Sequence, residues 1–263
     1  MPDTMPDTVA ERYCRDGFVF PVPVLPAPAA ASIARRVDTL AALCRIQPVR
    51  LPFPHGYFRW AFELAAHPAL LGAVERIVGP DILVWGTLIL SKAAGSRSIV
   101  SWHQDCAYAR FLDGSPALSA WIALTPATRE SGCMRVIPGS PGARLPFTTE
   151  KEADDITSRG IRVTTHFDQD RAVDLELRPG EASLHEISLI HGSDANRSAL
   201  PRTGFIVRYA TPAMRQPGFP VHCVSGSPGA IRCAAPPPAE TDGNLAAYLE
   251  YLRAEAAGLP GTN

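Results

Sequence analysis

Apolar positions along the chain repeat with two periods. Five stretches carry β-branched and aliphatic residues between clusters of Gly, Pro and Ser: 81–92, 118–124, a turn, strand and turn over 130–140, a turn and long extended segment over 180–193, and 202–210. Runs of this kind predict strands. A short helix is expected over 9–16, leading into an extended segment over 17–22. The spacing of Ile33, Val37 and Leu40 predicts an amphipathic helix over 28–43. Residues 60–78 read the same way, and a last helix is expected over 243–256, after the prolines at 236–238. Short strands at this spacing predict a mainly β protein, a sandwich or jelly roll, with flanking helices covering its outer face. Residues 150–174 are polar and charged and read equally as a mobile lid or a solvated surface loop.

Length narrows this to one domain. Across 263 residues the expected division is a flexible start over 1–8, mainly helical support over 9–79, a jelly-roll core over 80–235 and a C-terminal extension with its helix over 236–263. The tandem Met-Pro-Asp-Thr at the start fits a dispensable terminus. With 25 basic against 26 acidic residues the net charge is −1, so neither a nucleic-acid footprint nor a polybasic membrane patch is expected. The six cysteines form no Cys-x-x-Cys pair, nothing at the start resembles a secretory signal, and the apolar stretch 18–31 is interrupted by four prolines. Reduced thiols in a cytoplasmic protein follow as the expectation.

Candidate chemistry begins at Trp102-His103-Gln104-Asp105. Residues two apart on an extended segment point to the same side, so His103 and Asp105 can converge on one metal ion. Two histidines and a carboxylate, with other positions open, suit non-haem Fe(II). Among the remaining histidines, His185 and His191 lie six apart, and on one unbroken strand parity leaves both open. Arg202 and Arg208 are likewise six apart, and either fork could hold a carboxylate bidentately.

The ordered series of motifs resembles the phytanoyl-CoA dioxygenase-like Fe(II)/2-oxoglutarate oxygenases. It runs through Trp102-His103-Gln104-Asp105, Trp121-Ile-Ala-Leu124, Ser131-Gly-Cys-Met-Arg-Val-Ile-Pro-Gly-Ser140, His191-Gly-Ser193-Asp-Ala-Asn196-Arg197-Ser198 and Arg202, and covers roughly 10–212. The resemblance implies a double-stranded β-helix, the cupin-like jelly roll, with His103, Asp105 and His191 as iron ligands. It also implies Arg202, Ser193 and Trp121 as 2-oxoglutarate contacts, with Lys92 and Trp85 on a pocket-side strand. Fe(II), 2-oxoglutarate and O2 would then hydroxylate a small-molecule substrate, leaving succinate and CO2. Because Asp105 is present, oxygenation is implied and halogenation is not. Desaturation or cyclisation, or a metal- or ligand-binding jelly roll without activity, are the alternatives. Tyr108, Arg110 and Phe111, and the aromatic stretch 54–60, are the candidates for substrate contacts. Pro141 departs from the family pattern, which often has histidine there.

Overall fold

The computed structural model describes residues 8–46, 50–112, 114–157, 159–239 and 241–257. Its elements begin with α1 (Val9–Asp16), β1 (Phe18–Pro23), α2 (Ala27–Cys44), β2 (Arg50–Pro52), α3 (Arg59–Ala65) and α4 (Pro68–Val78). The strands β3 (Ile82–Lys92), β4 (Val100–His103), β5 (Ala117–Ala123), β6 (Met134–Val136), β7 (Phe147–Thr148) and β8 (Arg162–Val163) follow. Then come β9 (Val173–Leu175), β10 (Glu181–Glu186), β11 (His191–Ser193), β12 (Arg202–Ala210), β13 (His222–Ser225) and α5 (Asp242–Ala256). Of the start over 1–8, only Thr8 lies within the described residues. Its hydroxyl accepts the Glu11 N–H, which caps α1.

Two antiparallel sheets face each other as a jelly roll. The larger has the order β1-β10-β5-β12-β3-β13 with β2 also paired to β3, and the smaller has β4-β11-β6-β9. Alternation along each strand decides what lies between them. Phe205, Val207 and Tyr209 of β12 join Leu118, Ala120 and Ile122 of β5 in an outer core with Val37, Leu40, Leu64, Leu70 and Val74 of the helices. The opposite faces of β5 and β12 supply Trp121, Ala123 and Ile206 to an inner core with Met134, Val136 and Leu175 of the smaller sheet. The helices therefore hold the larger sheet from outside, and the space between the sheets is left for the site.

Three expectations change in detail. The helix over 60–78 is two helices, because Pro68 lacks the N–H a continuous helix needs and holds His67 extended at φ −63°, ψ 128°. The extended segment over 180–193 is broken after Glu186, whose carboxylate accepts both the backbone N–H and the hydroxyl of Ser188. That turn carries the chain from the larger sheet to the smaller, so His185 and His191 do not share a strand. Residues 150–174 are more than a solvated loop: Asp155, Ile156, Ile161 and Val163 are buried, and Ile99 and Asp155 form a β-bridge. No helix among the described residues is long and apolar enough to cross a membrane, and all six cysteines are free.

Candidate active site

His103 ends β4 and His191 begins β11, and the two are paired directly across the ladder. Their ring centroids stand 4.2 Å apart. In each, Nδ1 meets a backbone carbonyl two residues earlier, Ser101 at 2.8 Å and Leu189 at 2.9 Å. A carbonyl only accepts, so Nδ1 carries the proton and Nε2 keeps its lone pair. Asp105 is the first residue of a 3-10 turn, not part of the strand, but the intervening Gln104 is extended at φ −121°, ψ 133°, which keeps the Asp105 side chain on the His103 side. Ligand atoms of His103, Asp105 and His191 all lie within 4.8 Å of one another, and all three residues are buried. Gln104 staples this corner from behind, donating to the Ser188 carbonyl at 2.6 Å and accepting the Leu145 N–H at 2.8 Å.

The electrostatics suit a cation. Burial, the larger effect, pushes the His103 and His191 pKa values down, and neighbouring imidazoles push His191 down further. Both rings are thus neutral, as metal ligands must be. Burial by itself would raise the Asp105 carboxyl, but the Arg208 guanidinium, followed by the surrounding imidazoles, holds it well below the usual carboxylate range.

One rung of the larger sheet is aimed at Asp105. His185 of β10, Ser119 of β5 and Arg208 of β12 are cross-strand neighbours in a single row. Ser119 donates to Oδ2 at 2.5 Å, Arg208 Nη2 lies 3.5 Å from Oδ1, and His185 Nε2 lies 3.7 Å from Oδ2. His185 is thus a neighbour of the cluster, with its ring 4.7 Å from that of His191. Sequence reasoning missed Ser119, since only register brings residues from three strands into one row.

A second cationic place lies further along β12. Arg202 pairs with Lys92 of β3 across the ladder, and the side chains are 2% and 0% exposed. Arg202 Nε donates to the Gly132 carbonyl at 3.0 Å while Nη1 is buried without a partner among the described residues, and the guanidinium sits 4.9 Å from the centre of the Trp121 ring. Lys92 Nζ donates to the Ser193 hydroxyl at 2.7 Å and to the carbonyls of Ser193 and Asp194. Burial, then the Arg202 charge, lowers the Lys92 pKa to about 6. Burial likewise lowers Arg202, to about 10. Facing the buried Arg202 charge across the ladder, the Lys92 amine is costly to keep charged unless an anion joins the pair. Gly204 makes room for this arrangement, because a Cβ there would overlap the Trp121 indole.

A cavity of about 360 Å³ contains both places, and His103, Asp105, His191, Ser193, Arg202 and Trp121 all line it. Tyr108 and Phe111 line it as well, with Trp85 standing edge-on to Phe111 at 5.2 Å. Burial pushes the Tyr108 hydroxyl up to about 12. The side chain of Arg110 lies outside the described residues. The stretch 54–60 does not reach the cavity: Tyr57 and Phe58 pack against Tyr248 of α5, and Pro52 and Phe53 just before it supply the wall. Ile156, Thr157 and Arg159 close another side, which gives the segment 150–174 a place at the site.

The sequence profile of the phytanoyl-CoA dioxygenase (PhyH) family matches residues 13–204. The chain belongs to this family. It is 26% identical over 156 residues to a probable phytanoyl-CoA dioxygenase of Caenorhabditis elegans, covering 57% of this chain and 50% of that protein. To L-proline trans-4-hydroxylase of Streptomyces griseoviridis it is 26% identical over 236 residues, covering 75% and 84%. The solved structure of the non-heme monooxygenase ThoJ in its apo form superposes with a TM-score of 0.78 at 30% identity, covering 92% of this chain and 94% of that one. The chain spans about half the length of the phytanoyl-CoA dioxygenases it matches. PhyH-type oxygenases use Fe(II), 2-oxoglutarate and O2, the cofactor set expected from the sequence.

Proposed function

We propose that this chain is a single-domain Fe(II)/2-oxoglutarate-dependent oxygenase that hydroxylates an aliphatic C–H of a small metabolite or natural-product intermediate, with succinate and CO2 as co-products. The observation that carries this reading is one cavity holding both a cluster of two neutral imidazoles and an ionised carboxylate and a buried arginine whose Nη1 has no partner among the described residues. His103 and His191 would offer Nε2 and Asp105 a carboxylate oxygen, leaving coordination positions open. Bound Fe(II), with 2-oxoglutarate and O2, supplies the oxidising chemistry.

The remaining roles belong to the chain itself. Ser119 fixes Oδ2 of Asp105 and so fixes the direction of Oδ1. Arg202 Nη1 would pair with the distal carboxylate of 2-oxoglutarate, Ser193 and Lys92 would add donors, and Trp121 walls that end. Tyr108 and Phe111 would meet the substrate and keep water away. A cytoplasmic location belongs to the same reading and is supported by six cysteines free of disulfides.

Aerobic incubation with Fe(II) and carbon-labelled 2-oxoglutarate tests it. Succinate should form slowly without substrate and faster when a substrate from a metabolite panel is present, with one atom of labelled O2 in the product. No succinate above the level of a His191→Ala variant would overturn the reading. Loss of two hydrogens without oxygen incorporation would replace hydroxylation by desaturation or cyclisation, and a chlorinated product in excess chloride would contradict the role given to Asp105.

A further inference from the structure

Arg208 stands about 20 Å from Arg202 along β12 at the usual rise per strand residue, and it meets a different part of the cavity. Its guanidinium lies 5.5 Å from the centre of the Trp85 ring and 6.0 Å from that of Tyr108. The register explains the Trp85 contact. Arg208 pairs with Gly86 and Tyr209 with Val84, so Trp85 is the extra residue of a β-bulge, a feature that re-aims a side chain. Two aromatic neighbours thus hold the guanidinium in place, which lowers the entropic cost of any further bond it makes.

What the guanidinium lacks is a full partner. Among the described residues its single charged contact, Nη2 to Asp105 Oδ1 at 3.5 Å, is at the outer limit of a hydrogen bond, and its buried Nε has no partner. Trp85 Nε1 is likewise buried without a partner among the described residues. Both residues line the cavity, and both orphaned atoms are donors. Among the described residues the only acidic side chain in that lining is Asp105, against Arg50, Arg159, Arg202 and Arg208. Arg50 is joined to Glu255 at 3.1 Å, and the proposed function commits Asp105 to the metal and Arg202 to the cosubstrate. This leaves Arg208, with Arg159 also 5.9 Å from the centre of the Tyr108 ring, facing the remaining space. The rest of the wall there is aromatic: Phe111 and Phe219 stand edge-on at 5.4 Å, and Phe219 meets Phe53 at 5.7 Å.

We propose that Arg208 is a carboxylate subsite and that the substrate is a small organic acid whose apolar body lies against Phe53, Phe111 and Phe219. A single fork supplies one positive charge in a planar, bidentate form, which matches one carboxylate. With the acid group fixed beside Asp105, the carbon presented to the metal would be one near the carboxylate. The inference rests on the proposed function for its division of the cavity, but binding at Arg208 can be read without turnover.

The test is calorimetric titration of 3-phenylpropanoate, its amide and the corresponding amine into protein saturated with 2-oxoglutarate, so that Arg202 is occupied. Measurements are made anaerobically with Fe(II) and repeated on the metal-free protein. The acid should bind at least about tenfold more tightly than the amide, the factor expected for one charge-assisted hydrogen bond, and the amine should bind more weakly than either. Arg208→Gln should abolish the preference for the acid, and Arg208→Lys should retain part of it. Failure of the functional reading shows separately, as absence of a visible Fe(II)–2-oxoglutarate band in the wild type, and the metal-free titrations still judge Arg208. Equal binding of the three probes, no binding of the acid at millimolar concentration, or a preference that survives Arg208→Gln would each overturn the proposal. So would a loss of Fe(II) or 2-oxoglutarate affinity in Arg208→Gln as large as the loss for the acid, because Arg208 would then serve Asp105 and the cosubstrate.

Discussion

Lys92 carries an unusual burden for a lysine: it is fully buried, it faces Arg202 across the ladder, and its pKa is lowered to about 6. Near neutral pH the amine is therefore mostly uncharged while the site is empty. A dicarboxylate placed beside it favours the ammonium form, since an opposite charge nearby raises the pKa of a base. Binding of 2-oxoglutarate should then take up a proton, and its affinity should fall as pH rises above about 6. Calorimetry in buffers of different ionisation enthalpy reads the uptake directly. Lys92→Met should remove most of it, and an uptake unchanged in that variant would assign the proton elsewhere. At this scale the sequence was informative where motifs were local. The stretch Trp102 to Asp105 points to two of the clustered residues, whereas the choice of His191 over His185 rested on resemblance and could not come from parity.

Strands and their register carry the information that local patterns lack. The bounds of α1 and of β12 coincide with the expected 9–16 and 202–210 because each has a sharp chemical edge, Thr8 with Gly17 for the helix and a Pro on either side of the strand region. The break after Glu186 escaped notice because both halves are extended and apolar, and nothing in a periodic pattern records a change of sheet. The His185, Ser119 and Arg208 row was equally hidden, being a property of three strands in register. Register also makes Gly204 a sensitive position. It lies on the inner face of β12, where a Cβ would overlap the Trp121 indole. Gly204→Ala should destabilise the fold by about 1–3 kcal/mol, the usual cost of overpacking a filled core, and should weaken 2-oxoglutarate binding more than metal binding, because Trp121 and Arg202 share the displaced contact. Denaturant unfolding and ligand titration on the same variant check both parts. Weakened metal binding with intact 2-oxoglutarate binding would contradict this placement of Trp121.

At the scale of the whole molecule, the helices act on the site through the wall that β2 provides. Tyr248 of α5 is fully buried and donates from its hydroxyl to the Pro52 carbonyl at 2.8 Å, and Glu255 joins Arg50 at 3.1 Å. Arg50, Pro52 and Phe53 all line the cavity, so the docked C-terminal helix backs the pocket. The aromatic stretch 54–60 was read as a substrate surface because composition cannot tell which layer a ring enters; here its rings anchor α5. Tyr248→Ala should cost about 3–5 kcal/mol of stability as a buried aromatic truncation. Tyr248→Phe should cost about 1–3 kcal/mol for the carbonyl left unpaired. Urea unfolding separates the two, and negligible loss in both would contradict a docked helix.

On the proposed function, His103, Asp105 and His191 hold the iron while the adjacent His185 does not. Anaerobic addition of Fe(II) and then 2-oxoglutarate to the wild type, His191→Ala and His185→Ala, followed by visible spectroscopy and iron stoichiometry, addresses it most directly. The wild type and His185→Ala should each bind one iron and develop the charge-transfer band of a chelated 2-oxo acid, and His191→Ala should lose both. A band that survives in His191→Ala and disappears in His185→Ala would contradict the account.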